Sequence, residues 1–130
     1  LPSFLHHRKE NALFFKELLE AFPFIGLQKE IGESSWFGFS LVLDEDGPIT
    51  RAELIQLFRE KGIECRPIVT GNFLKNQEVL RYFDYVVAGT VESAEYIDAY
   101  GLFVGNQQKD ISMEISYLRD CIKELVDSKN

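Results

Sequence analysis

The residues best suited to chemistry lie in two short polar stretches. In the first, Arg66 precedes Pro67, and Gly71-Asn72 follows shortly after. An arginine at a strand end offers a planar fork of donors that matches a carboxylate or a phosphate. Gly71-Asn72 gives a bend whose amide side chain and backbone are open to bonding. The second stretch, Val104-Gly105-Asn106-Gln107, has the same character at another strand end. The plain alternative is that Arg66 pairs with a neighbouring acid and that Gly71-Asn72 is only a turn. Two such ends on one sheet edge would build part of a site, not a whole one.

No other constellation competes. No Ser/His/Asp set stands at a recognisable spacing, and Gly101 and Gly105 do not follow a dinucleotide fingerprint. His6 and His7 fall in the first turns of an opening helix and read as surface or domain-interface residues. The loop Asp44-Glu45-Asp46-Gly47-Pro48 lacks the spacing of a calcium loop and reads as a solvated turn. Cys65 and Cys121 are too few for a disulfide framework and read as small buried hydrophobes. With His6 and His7 they do not make a zinc set, so no metal is expected.

Composition narrows the classes further. The chain has 130 residues, a size suited to one domain, with 45% apolar residues and 11 Phe. Some of that apolar load is expected to bury against another domain. A formal net charge of -7 argues against nucleic-acid partners. No apolar stretch approaches the roughly 20 residues of a membrane span, and no secretory signal pattern is present, so a cytoplasmic setting is expected. The chain opens Leu1-Pro2-Ser3 without an initiating Met, which suggests a piece of a longer polypeptide.

These stretches need elements to position them. Ser3 is expected to cap a helix running to about Phe22, with Asn11, Phe15, Leu18 and Phe22 at helical spacing. Phe24–Gln28 reads as a short strand. Trp36–Leu43 reads as a strand with Phe37, Phe39, Leu41 and Leu43 on one face. Thr50-Arg51-Ala52-Glu53 is a capping box opening a helix to Lys61, which Gly62 ends in a left-handed conformation. Its inner stripe is Leu54, Leu57 and Phe58. Ile63–Arg66 is a strand, Ile68–Phe73 a loop, Gln77–Phe83 a short helix, and Val86-Val87 a brief extended stretch. Thr90 is expected to cap a helix over Val91–Tyr100, ended by Gly101. Leu102–Val104 is a strand. Asp110 caps a last helix with the stripe Ile111, Ile115, Leu118, Ile122 and Leu125. This order predicts an α/β chain of the α+β type: one domain, with a small, mostly antiparallel sheet covered by helices.

The opening helix, the Trp36–Leu43 strand, the helix-Gly-Ile-x-x-Arg-Pro turn ending at Pro67, the Gly71-Asn72-Phe73 loop and Leu102-Phe103-Val104-Gly105-Asn106 occur in an order that resembles the DegT/DnrJ-type sugar aminotransferase family. The likeness covers nearly the whole chain. Arg66-Pro67-Ile68-Val69-Thr70-Gly71-Asn72 looks most like the nucleotide-sugar 3-dehydratase branch, where family aminotransferases more often carry a His-Tyr type sequence. The resemblance implies the C-terminal small domain of a fold type I enzyme dependent on pyridoxal 5'-phosphate or pyridoxamine 5'-phosphate. Its substrate would be a nucleotide-linked 4-keto-6-deoxyhexose, such as GDP-4-keto-6-deoxymannose, in deoxysugar and lipopolysaccharide O-antigen biosynthesis. Such enzymes are usually homodimers. Their N-terminal domain holds the cofactor and the catalytic residue, a lysine in aminotransferases and a histidine in 3-dehydratases. On that reading this chain carries no catalytic residue, binds no cofactor alone and is inactive alone. It closes the sugar pocket through Arg66, Asn72 and Asn106, with Gly71 permitting close backbone approach. A nucleotide-sugar aminotransferase domain and a free-standing small-molecule-binding regulatory module are the alternatives.

Overall fold

The computed structural model describes residues 2–69 and 71–129, so Thr70 of the quoted motif and Leu1 of the opening tripeptide lie outside the described residues. Helix α1 spans Pro2–Leu19 and buries Asn11, Ala12, Phe15 and Leu19. It starts at Pro2, so Ser3 lies inside the first turn and is not its cap. Proline suits that position because the first amides of a helix have no intrahelical partner.

Four strands form one sheet in the order β1-β2-β4-β3, every neighbouring pair antiparallel. They are β1 (Ile25–Leu27), β2 (Gly38–Leu43), β3 (Cys65–Arg66) and β4 (Gly101–Gly105). The expected small antiparallel sheet is therefore present, with shorter strands. In register, Phe39 faces Val104, Leu41 faces Leu102, and Ile25 faces Leu43. These residues point to one side of the sheet and are buried there. Phe37 leaves the alternation. Trp36 adopts φ +49°, an uncommon conformation for so bulky a residue. That bend buries the Trp36 ring at 4% exposure and leaves Phe37 61% exposed.

Helix α2 (Arg51–Glu60) begins with the expected box: the Glu53 amide donates to Thr50 Oγ1, and the Thr50 amide donates to the Glu53 carboxylate. Gly62 has φ +73°, as its stop requires. Helix α3 is short (Gln77–Leu80), following a 3-10 turn at Phe73–Lys75. Helix α4 (Glu92–Tyr100) begins after Val91 without a side-chain cap, so Thr90 does not cap it. Helix α5 (Ser112–Asp127) has Ile111 at the cap position. Asp110 still serves its start, accepting the Ser112 amide hydrogen at 2.8 Å.

Helices α1, α2 and α5 cover the apolar side of the sheet, with α1 and α2 each against α5. Leu41, Leu54, Phe58, Leu102 and Ile122 are fully buried there. Each such side chain stabilises the fold by about 1.5–3 kcal/mol. Cys121 joins this interior, whereas Cys65 is only half-buried at the sheet edge, contrary to the expectation for both. Burial pushes the Cys65 thiol up from its ordinary pKa. Helix α4 packs on β2 and β4, and the Tyr96 hydroxyl donates to the Leu43 carbonyl at 3.3 Å. Between β3 and α4 the chain leaves Tyr82, Phe83 and Val86 exposed at 71, 62 and 91%. Among the described residues, no helix is long and apolar enough to cross a membrane.

Candidate ligand-binding groove

Strand β3 holds only two residues, pairing Cys65 with Val104 and Arg66 with Phe103. Pro67 stops it, because proline has no amide hydrogen to continue the ladder. The short edge leaves a groove of about 780 Å³ between β3, the end of β4 and α5. Arg66, Phe103, Asn106, Lys109 and Tyr117 line it, together with Arg8 and Phe37. Arg66 and Asn106, the two strand-end residues singled out in the sequence, therefore share one groove. Gly71 and Asn72 do not line it.

Arg66 does not take an acidic partner. Among the described residues its guanidinium forms no ion pair or hydrogen bond, and it lies 4.8 Å from the centre of the Phe103 ring and 6.0 Å from that of Phe37. The rings are stacked 6.1 Å apart. Gly38 makes this possible: a Cβ there would fall 2.1 Å from Phe103 Cζ. Stacking of this kind contributes about 0.5–1 kcal/mol at an exposed site and leaves the in-plane N–H edge open. A guanidinium held against an aromatic ring with its donors free is suited to binding an anion.

Asn106 is the opposite case. Its side-chain NH2 donates to the carbonyls of Trp36 (2.8 Å) and Arg8 (3.0 Å). Its Oδ1 accepts from Asn11 Nδ2 (3.0 Å) and from the Gln107 amide (2.8 Å). Asn11 also donates to the Lys109 carbonyl at 2.8 Å and accepts the Ile111 amide at 3.3 Å. The pair thus ties α1, the bend at Trp36 and the entry to α5 into one buried network. Sequence spacing placed Asn11 in the apolar stripe and gave no sign of this role, because its partners lie about a hundred residues away.

Gly71-Asn72 is organised from within the chain. Gly71 has φ +63°, and a Cβ there would fall 1.9 Å from Asp98 Oδ1. The close approach that glycine permits is thus to the Asp98 carboxylate. Asp98 accepts the Asn72 amide at 3.1 Å and pairs with Lys75 at 2.6 Å. Lys75 first, then the Asn72 amide, hold the Asp98 carboxyl below its usual pKa. Asn72 Oδ1 accepts the Leu74 amide at 3.1 Å, capping the 3-10 turn, while its Nδ2 has no partner among the described residues. His6 and His7 sit at the surface beside Glu10, away from the groove.

Nothing in the sequence pattern marks Phe37, Phe103 or Arg8 as groove residues. The alternation of the sequence sets Phe37 on the core face, and only the left-handed Trp36 backbone turns it toward the groove. In sequence, Phe103 is an ordinary strand residue and Arg8 an ordinary helix residue.

Residues 1–119 match the model of the DegT/DnrJ/EryC1/StrS aminotransferase family. The chain belongs to that family. It is 60% identical over 124 residues to a GDP-4-keto-6-deoxy-D-mannose 3-dehydratase of Yersinia pseudotuberculosis, an alignment covering 95% of this chain and 32% of that protein. A solved structure of the Escherichia coli GDP-4-keto-6-deoxy-D-mannose-3-dehydratase with bound hydrated PLP superposes with a TM-score of 0.88 at 50% identity, over 92% of this chain and 31% of that one. A variant GDP-4-keto-6-deoxymannose-3-dehydratase with bound GDP-perosamine gives a TM-score of 0.90 at 50% identity, over 94% and 32%. This DegT/DnrJ-type chain therefore spans about a third of the length of the relatives it matches.

Proposed function

We propose that this chain is the C-terminal, substrate-closing domain of a nucleotide-sugar 3-dehydratase acting on a GDP-linked 4-keto-6-deoxyhexose in deoxysugar and O-antigen biosynthesis. The observation that carries this reading is the 60% identity to a GDP-4-keto-6-deoxy-D-mannose 3-dehydratase across 95% of the chain. The preceding domain would supply the pyridoxal-type cofactor site and the catalytic residue, and the whole enzyme would work as a cytoplasmic homodimer. The exposed Tyr82, Phe83 and Val86 fit a surface that the rest of a longer chain covers.

Among the described residues, those lining the groove do not fit a pyridoxal phosphate site by themselves. Such a site needs a lysine or its substitute at the cofactor aldehyde and a partner for the pyridine nitrogen. The groove instead sets arginines on phenylalanine faces, with Lys109 in an exposed turn. When bound by the whole enzyme, the cofactor would supply the electron sink for loss of the C3 hydroxyl. This domain would bind, orient and exclude water. Arg66 would hold an anionic part of the substrate through its open donor edge. Asn72 would reach the substrate through its Nδ2, which has no partner among the described residues, with Gly71 and Asp98 setting the bend. Asn106, whose side chain is fully bonded, would hold the groove wall in place of touching the sugar.

Product analysis of the full-length protein with GDP-4-keto-6-deoxymannose and an amino donor tests this reading. Loss of oxygen from C3 is expected. An amino group delivered to C4 with the C3 oxygen retained would overturn it in favour of a sugar aminotransferase.

A further inference from the structure

Arg8 enters the groove from α1 and Arg66 from β3, and the two guanidiniums share one aromatic platform. Arg8 lies 5.7 Å from the centre of the Phe37 ring, and Arg66 lies 4.8 Å from that of Phe103, with the two rings stacked. Among the described residues, neither guanidinium makes a hydrogen bond or an ion pair. For Arg8 this is unfavourable in the chain alone, because its Nε is buried and has no hydrogen-bond partner among the described residues. Arg8 as a whole is half-buried, but a buried N–H left without an acceptor destabilises a fold, whereas an unbranched apolar side chain would cover Phe37 without that penalty. Packing therefore does not account for an arginine here.

Charge points the same way. The chain carries a net charge of -7, yet the groove gathers Arg8, Arg66 and Lys109 against only Glu64 and Glu114. One arginine suffices for one anionic group. Two guanidiniums set on neighbouring rings suit a ligand with two linked anionic groups, each meeting one planar fork.

We propose that Arg8 is a second anion-binding residue of this groove and that Arg8 and Arg66 together hold a diphosphate, one phosphate on each. The inference deepens the nucleotide-sugar reading and rests on it only for what is attached to the diphosphate.

Calorimetric titration of the full-length protein with GDP, guanosine and inorganic pyrophosphate tests it, comparing the wild type with Arg8→Met and Arg66→Gln. Each variant is expected to bind GDP and pyrophosphate about tenfold or more weakly, as loss of a charge-assisted contact requires, with guanosine unchanged. Arg8→Met is expected to melt no lower than the wild type. Arg8→Lys, which keeps the charge and loses the fork, is expected to fall between. The proposal is overturned if pyrophosphate does not bind the wild type. It is equally overturned if Arg8→Met and Arg8→Lys both bind GDP within about twofold of it, or if Arg8→Met weakens guanosine as much as GDP. Arg8-dependent diphosphate binding in a protein that leaves the C3 oxygen in place would retain this inference and remove the dehydratase. C3 deoxygenation with a KM indifferent to Arg8→Met would do the reverse.

Discussion

Strands β3 and β4 lie side by side and both end in polar residues, yet they use them oppositely. At the end of β4, every donor and acceptor of the Asn106 side chain is bonded to α1, to the Trp36 bend or to the following amide. At the end of β3, Arg66 rests on Phe103 and bonds nothing among the described residues. Buried polar groups are normally satisfied within a fold, so a saturated amide reads as scaffold. A guanidinium held in place with its donors free reads as the part of the site left for a ligand. The two residues look alike in sequence and differ only in whether the chain supplies their partners.

The largest expected effect comes from breaking the saturated end. Asn106→Ala takes the side-chain donor from the Trp36 carbonyl and removes one bond each from Asn11 and the Arg8 carbonyl in a buried setting, and should destabilise the protein by about 2 to 3 kcal/mol. Urea unfolding of this chain, followed by the emission of Trp36, its single tryptophan, would measure it. The native emission should also shift to the red as the left-handed Trp36 turn loosens. A change of less than about 0.5 kcal/mol would make Asn106 a residue available to ligand after all.

Gly71→Ala tests the third polar bend, which combines features of both. The new methyl meets Asp98 Oδ1 and must adopt a positive φ, so a loss of about 2 kcal/mol is expected. If Asn72 touches the substrate, the KM of the full-length enzyme should rise as well, because the bend that aims Nδ2 shifts. Thr50→Ala, remote from the groove, removes the α2 cap and should cost about 1 kcal/mol without changing KM. It calibrates what a purely structural loss looks like.

Acid sensitivity supplies the smallest effect. The Lys129 ammonium, then the Thr50 amide and hydroxyl, hold the Glu53 carboxyl down at about 2. A carboxyl more acidic folded than unfolded stabilises the protein above its unfolded pKa, and that stability is lost as pH falls toward the folded value. Asp98 behaves in the same direction through Lys75. Glu53→Gln should therefore flatten the fall in melting temperature between about pH 4.5 and pH 2, while leaving the neutral-pH groove unchanged. An unaltered acid profile would show that Glu53 is not bound by Lys129 in solution.

Much of this architecture was legible in the residues. The Thr50-to-Glu53 box, the Gly62 stop and the α5 stripe follow from local rules, and the structure repeats them. What escaped was whatever depends on distant partners. Phe37 continues a perfect alternation in sequence, and only the Trp36 backbone, fixed by Asn106 seventy positions away, takes it off the core face. Asn11 sits in an apolar stripe with nothing local to mark its bonds to the far end of the chain. Gly71 announces a left-handed bend, but not that Asp98 fills the space beside it. Arg66 was visible as a suitable fork; that no acid answers it required the fold.

The most direct test measures stability and affinity on the same substitution. Arg66→Gln should leave the thermal midpoint of the full-length protein within about 2 °C of the wild type, since stacking alone is weak, while GDP-sugar affinity falls roughly tenfold or more. A midpoint that drops with affinity unchanged would show that Arg66 serves the fold, and would contradict the division of roles between the two strand ends.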